Sequence, residues 1–214
     1  QRAAGFTARL RINRDHAFGA WDQFNAPTLA RMLGAGKIIA LDAMPMKLDL
    51  AKDFGADLGI NVGSMDDKEL VDAIRGETEG RGADVVFDPV GGDAFDQSLR
   101  CTAPEGRILV IGFAAGRIPQ IPANILLVKN VTVIGFYYGY WNGWGGKNEP
   151  SPKEAAALAK RRAMVADAQR ELMHWFTEGK LRATIAGSFD LSDWVEAFKL
   201  IEQRTVVGKA VLVP

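Results

Sequence analysis

The 214-residue sequence contains a single cysteine, Cys101. That count excludes an internal disulfide and a multi-cysteine zinc site. As a small residue late in a helix, Cys101 fits a packing role better than a reactive thiol. An excess of one charge sign is also missing. The 26 basic and 26 acidic side chains give zero formal net charge, so the electrostatic case for nucleic acid or an acidic membrane surface does not arise. Long apolar runs are absent. Stretches such as "RILVIGFAAG" are too short to cross a bilayer, and no signal peptide opens the chain. The two histidines, His16 and His174, have no neighbours at ligand spacing, and His174 on a long helix fits a surface position. "GGD" (91–93) and "GKNE" (146–149) are not phosphate loops, because no Lys-Ser/Thr pair follows the glycines. These absences leave a soluble, cytoplasmic protein with no metal, nucleic-acid or membrane partner.

What is present is a core-forming chain, 48% apolar and 24% charged, long enough for one large domain or one domain with an appendage. From residue 28 onward strands and helices alternate. "LARMLGAGKIIALD" runs as a helix into a strand at 37–42 that stops at an acidic residue. "MKLDLAKDFG" is helical, with Leu48, Leu50 and Phe54 on one side and Gly55 as its stop. Strands are expected at 56–62, 83–92, 107–113 and 130–139, and helices at 66–80 and 93–106. The strand segments are continuously apolar rather than alternating, as strands covered on both faces must be. Helical connections of this length imply parallel pairing through right-handed crossovers. The fold class is therefore α/β, a doubly wound, Rossmann-like, mostly parallel sheet with helices on both faces. A Gly-, Trp- and Pro-rich loop at 139–154 precedes a long helix at 153–178. Its buried stripe is expected to hold Val165, Leu172, Trp175 and Phe176, with Gly179 as its stop. A strand, a helix capped by Ser192 and a final strand, "GKAVLVP", close the chain.

The segments "KLDLAKDFGADLGIN", "GRGADVVFDPVGGDAFDQSLRCTAPEGRILVIGFAAGRIPQIPANILLVKNVTVIGF" and "EGKLRATIAGSFDLSDWVEAFKLIEQRTVVGKAVLVP", in this order, resemble the cofactor domain of the medium-chain dehydrogenase/reductase superfamily. The nearest branch is that of the zinc-independent quinone oxidoreductases. The resemblance covers about residues 28–138 and 172–214. It implies a dinucleotide-binding domain over 28–214 with a loop insertion at 139–154; the N-terminal barrel-like domain that comes first in the family is expected to be absent from this chain. It also implies a first strand and glycine-rich turn near residues 8–25. "ARLRINRDHAFGAWDQFN" stands there, with Arg9, Arg11, Arg14 and Asp15 in a slot buried on both faces and only Gly19 where several glycines belong. Residues 1–27 are accordingly an atypical segment, foreign, frame-shifted or disordered, and both the first strand and the glycine loop are doubtful.

Candidate cofactor residues follow the expected strand ends. Asp42 can accept both ribose hydroxyls and would repel a 2′-phosphate; otherwise it is an acidic residue at a helix start. Lys47 stands where this branch often carries a base facing a 2′-phosphate, or is a solvated lysine. Asp42 argues for NAD(H), Lys47 and the resemblance for NADP(H), and the choice stays open. Val62 matches a position that packs on adenine, or is core. Val90, Gly91 and Gly92 end the third strand, where backbone can approach a ligand, or form a tight turn. By resemblance, Ile111, Gly112 and Phe113, together with Phe136, Tyr137 and Tyr138, line the nicotinamide. No residue is a convincing catalyst, so catalytic residues are unassigned. No metal is implied.

The leading expectation is the cofactor-binding part of an NAD(P)H-dependent oxidoreductase that reduces a quinone, enal or enone by hydride transfer. Enzymatic activity is expected at the level of the family and left open for the isolated chain, and a homodimer through the strand at 131–136 is implied by the resemblance. The alternatives are a non-catalytic dinucleotide-binding remnant and an S-adenosylmethionine-dependent methyltransferase.

Overall fold

The computed structural model describes residues 6–11 (backbone only), 25–144, 150–202 and 206–214. It divides into two compact units, residues 1–134 with 183–214, and residues 135–182.

The first unit is built on strand β2, Ala35–Asp42, whose successive side chains are buried on opposite faces. Ile38 and Ala40 pack with Leu48 and Ala51 of helix α2 (Pro45–Asp53), and with Ala26 and Ala30 of helix α1 (Ala26–Met32). Ile39 and Leu41 pack on the other face with Leu70 and Ile74 of helix α3 (Asp67–Gly76) and Cys101 of helix α4 (Gly92–Cys101). A strand covered on both faces needs the unbroken apolar run that the sequence supplies. Strands β3 (Leu58–Asn61), β4 (Ala83–Asp88), β5 (Thr102–Val110) and β6 (Thr132–Gly135) complete the sheet, with helix α5 (Ala123–Lys129) before β6. The order is β3-β2-β1-β4-β5-β6.

Strand β1 is Phe6–Arg11, and it lies parallel between β2 and β4, with Arg9 opposite Ile39 and Val86. The backbone thus fills the central slot where the arginines argued against a strand. Its two neighbours present rows of N–H and C=O groups that any extended segment can satisfy, whatever its side chains. Residues 12–24, the expected place of the glycine turn and of His16, lie outside the described residues.

Helix ends follow local chemistry. Asp66 and Glu69 form a reciprocal capping box at the start of α3. Gly55 follows α2 with φ +99°, as its stop signal requires. Asp57 ties the sheet to α1: its carboxylate accepts from the Arg31 guanidinium and from the Ile38 N–H, each at 2.6 Å. Partial burial works against its charged form, but the Arg31 and Ile38 hydrogen bonds and the neighbouring cations outweigh it and hold the pKa below the ordinary 3.8. A carboxyl with a lowered folded-state pKa contributes stability above about pH 4 that is lost as pH falls through the folded value. The side chains are 41% (Arg31) and 40% (Asp57) exposed, which limits the pair to at most about 1 kcal/mol. Asp57→Asn is therefore expected to flatten the acid limb of the urea midpoint measured from about pH 5 to about pH 2. An identical acid limb in the variant would contradict this.

The chain's last two strands form a sheet of their own. β7 (Ile185–Asp190) and β8 (Lys209–Val213) pair parallel to each other in a separate two-stranded sheet, joined through helix α8 (Trp194–Glu202). Ser192, expected to cap α8, sits inside a 3-10 turn, Leu191–Asp193.

The second unit holds helices α6 (Tyr138–Asn142) and α7 (Pro152–Thr177). Part of the expected 139–154 loop is therefore a helical turn, and residues 145–149 lie outside the described residues. Ser151 and Glu154 form a capping box at the start of α7. Gly179 at φ +72° ends it, with Lys180 N–H donating to the Trp175 carbonyl at 2.8 Å in a Schellman arrangement. The stripe expected to be buried is not: Val165, Leu172 and Trp175 are half-buried and Phe176 is exposed. The other helix in this unit is five residues long, too short to cover it. His174 is exposed and faces Glu178 at 3.3 Å.

Candidate functional site

Because β1 to β5 pair parallel, Asp42, Asn61, Asp88 and Val110 end their strands at one edge of the sheet. The order reverses across β1 and β4, the switch point outside which open α/β sheets bind ligands. The expected site residues of the first unit fall along this edge.

Asp42 is buried, and its Oδ1 accepts from the Met44 N–H at 2.8 Å, turning the chain into α2. Lys47 is buried on α2 rather than solvated. Val62 packs against the cluster of Ile39, Leu41, Ile60, Leu70 and Ile74, a core role.

At the tip of β4, Val90 is half-buried and Gly91 and Gly92 are buried. Both glycines have positive φ, +67° and +54°. A Cβ on Gly91 would stand 2.9 Å from Cδ1 of Phe113 and 3.4 Å from the Arg117 carbonyl oxygen. One on Gly92 would stand 3.2 Å from Ala115 Cβ. These glycines thus admit the loop that follows β5. Gly91→Ala is expected to cost about 1–3 kcal/mol, the range for an unfavourable backbone conformation forced on a residue with a side chain. Urea denaturation measures this, and a neutral substitution would contradict the packing.

Two contributors to this edge have no sequence signal that singled them out. Asp88 is fully buried, and its Oδ1 accepts from Val90 N–H at 2.8 Å and Gly91 N–H at 3.0 Å, which shapes the turn. Its Oδ2 is buried without a hydrogen-bond partner. The other is Arg117, whose guanidinium donates to Asp93 and Asp96 of α4. Hydrogen bonds to Asp96 and Asp93 push its pKa above the usual arginine range. Ile111 and Gly112 are half-buried, and the Phe113 ring is exposed.

Phe136, Tyr137 and Tyr138 belong to the second unit and are exposed there. The Tyr138 hydroxyl accepts from Gln169 Nε2 at 3.1 Å, and Phe136 lies 6.5 Å from the Trp141 ring.

Among the described residues, the pyrophosphate end is poorly equipped. A dinucleotide phosphate needs backbone N–H groups at the start of α1. There, Pro27 contributes none, and the Thr28 hydroxyl is given to the Phe54 carbonyl at 2.7 Å. No glycine stands between Asn25 and Leu33. Metal fits no better. Among the described residues no group of three or more His, Cys, Asp or Glu could hold an ion, and Cys101 is buried.

Residues 25–149 match the family model described as zinc-binding dehydrogenase. The chain is 36% identical over 197 residues to a quinone oxidoreductase-like protein 2 homolog of Nematostella vectensis, covering 92% of this chain and 48% of the relative. A Pseudomonas syringae quinone oxidoreductase superposes with a TM-score of 0.71 at 26% identity, covering 98% of this chain and 57% of that one. The Escherichia coli quinone oxidoreductase complexed with NADPH shares the fold at a TM-score of 0.71 and 23% identity, over 98% and 57% of the two chains. The chain spans about half the length of the curated relatives it matches. These matches do not favour the methyltransferase reading. The chain belongs to the zinc-binding dehydrogenase family, in the quinone oxidoreductase-like branch of the medium-chain dehydrogenase/reductase superfamily.

Proposed function

We propose that this chain is the cofactor-binding part of an NAD(P)H-dependent oxidoreductase that reduces a quinone or a related enal or enone. The observation that carries the reading is the aligned edge of β2, β4 and β5 tips beside the sheet's switch point, in a chain of this family. The bound nicotinamide would supply the hydride, and the chain's own residues would bind and orient it. Val90, the Gly91–Gly92 turn and Ile111–Phe113 form the wall on which a nicotinamide would rest, and Asp42 stands where a ribose would be recognised. The NADPH complex of the E. coli neighbour supports NADP(H), whereas the carboxylate of Asp42 supports NAD(H).

The acceptor would be a small electrophile. A second copy of the chain pairing along β6, whose Ile134 is exposed, would make a homodimer. A second reading, a dinucleotide-binding remnant without catalysis, is favoured by Pro27 and the absence of glycine at the start of α1.

Residues 1–27 are proposed to be foreign or frame-shifted, and the encoding DNA tests this directly. A frame upstream of Leu29 that encodes an apolar strand and a glycine turn supports the reading. The complete polypeptide from that locus should then oxidise NADPH or NADH with a quinone or enone. Failure with both cofactors and every such acceptor would leave the remnant reading.

A further inference from the structure

The loop after β5 folds back onto the start of α4, and one residue holds it by two different handles. The Arg117 carbonyl accepts the Gly92 N–H at 3.0 Å. The Arg117 guanidinium donates to Asp93 at 2.8 Å and to Asp96 at 2.5 Å. The N-cap of helix α4 is Gly91, which makes no side-chain cap hydrogen bond, so the loop supplies what a capping side chain would. Two further backbone bonds, Ala114 N–H to the Pro89 carbonyl at 3.2 Å and Ala115 N–H to the Val90 carbonyl at 2.9 Å, extend the β4–β5 pairing beyond both strand ends. The outcome is that the Phe113 ring lies against Gly91 while remaining 42% exposed.

We infer that Arg117 is a positioning residue of the nicotinamide wall, fixing Phe113 and the β5 tip against the Gly91–Gly92 turn. This rests on the cofactor reading above. The chemistry requires arginine: a planar fork can serve two carboxylates on one helix at once, whereas an ammonium on a flexible stem is a single point charge. Both ion pairs are solvent-exposed, with Asp93 93% exposed, so salt weakens the grip. Without it, the loop keeps its backbone bonds but loses the tether at its far end.

The test compares wild type with Arg117→Ala and Arg117→Lys, using amide hydrogen exchange and NADPH titration followed by NMR. In Arg117→Ala, exchange at Gly92 and Ala115 should be about tenfold faster, the scale expected for losing two exposed ion pairs. Raising salt should speed the same amides in wild type, and Arg117→Lys should fall between the two. The thermal midpoint should fall by no more than about 3–6 °C, the shift that the same tenfold loss gives in a chain of this size, while NADPH affinity read at Val90–Phe113 falls several-fold. Unchanged exchange in Arg117→Ala overturns the tether. Faster exchange with unchanged NADPH affinity overturns the positioning role. If wild type shows no NADPH shifts at Val90–Phe113, the cofactor reading fails, and with it the role assigned to Arg117, while the exchange data still judge the tether alone.

Discussion

Calorimetric titration of this chain with NADPH or NADH is expected to give dissociation constants weaker than about 0.1 mM. A cradle that holds the pyrophosphate with charge-assisted backbone bonds gains roughly 1.5–3 kcal/mol from each. Losing two of them costs about 3–6 kcal/mol, or roughly a hundredfold to more than ten-thousandfold in affinity. Pro27 has no N–H to offer, and the helix behind it spans only Ala26–Met32. The proposed nicotinamide wall at Val90–Gly92 and Ile111–Phe113 lies within the described residues, so weak binding rather than none is the expected result. Low-micromolar affinity for either cofactor would mean that the phosphates are held by groups outside those described.

The second large effect is structural. Phe95 of α4 is fully buried among Val86, Leu99, Ile108 and Val131. It is among the largest fully buried side chains and joins the helix that carries the Gly91–Gly92 turn to β4 and β5. Phe95→Ala should cost about 3–5 kcal/mol, the usual range for truncating a buried aromatic residue. Against a total of roughly 5–15 kcal/mol, that would lower the urea midpoint severely. Phe176→Ala, on the exposed side of α7, should change it by less than about 0.5 kcal/mol. Equal effects at the two positions would contradict the placement of the core.

The sheet was legible because its physics is local. The run at Ile38–Leu41 could only be a strand covered on both faces, and Gly55 and Gly179 marked helix ends by a conformation that other residues resist. Pairing partners were less legible. Nothing in "GKAVLVP" says whether it joins the main sheet or pairs with β7, since that choice is made by distant segments. The stripe on α7 was correctly periodic, yet periodicity shows only that a face is apolar, not that something covers it.

The site shows the same division. Gly91 and Gly92 could be read as points of close approach, but what approaches is Phe113 and Arg117, more than twenty residues downstream. Lys47 reads in the sequence as solvated or phosphate-facing, and the fold buries it on α2. Asp88 and Arg117 carry no local sequence signal because their roles depend on partners that the fold brings to them. β1 shows the opposite limit. Side-chain character argued against a central strand at Phe6–Arg11, and backbone pairing with β2 and β4 placed one there.

The central proposal is that the strand tips form one ligand-facing edge with a nicotinamide wall at Val90–Gly92 and Ile111–Phe113 and, among the described residues, no pyrophosphate anchor. Mapping amide shifts across the chain during an NADPH titration tests it most directly. The account predicts weak, saturable shifts at Val90–Gly92 and Ile111–Phe113, smaller ones at Asp42–Met44, and little change at Ala26, Thr28 and Leu29. Tight binding with its largest shifts at the start of α1, or shifts scattered away from the sheet's carboxyl edge, would contradict it.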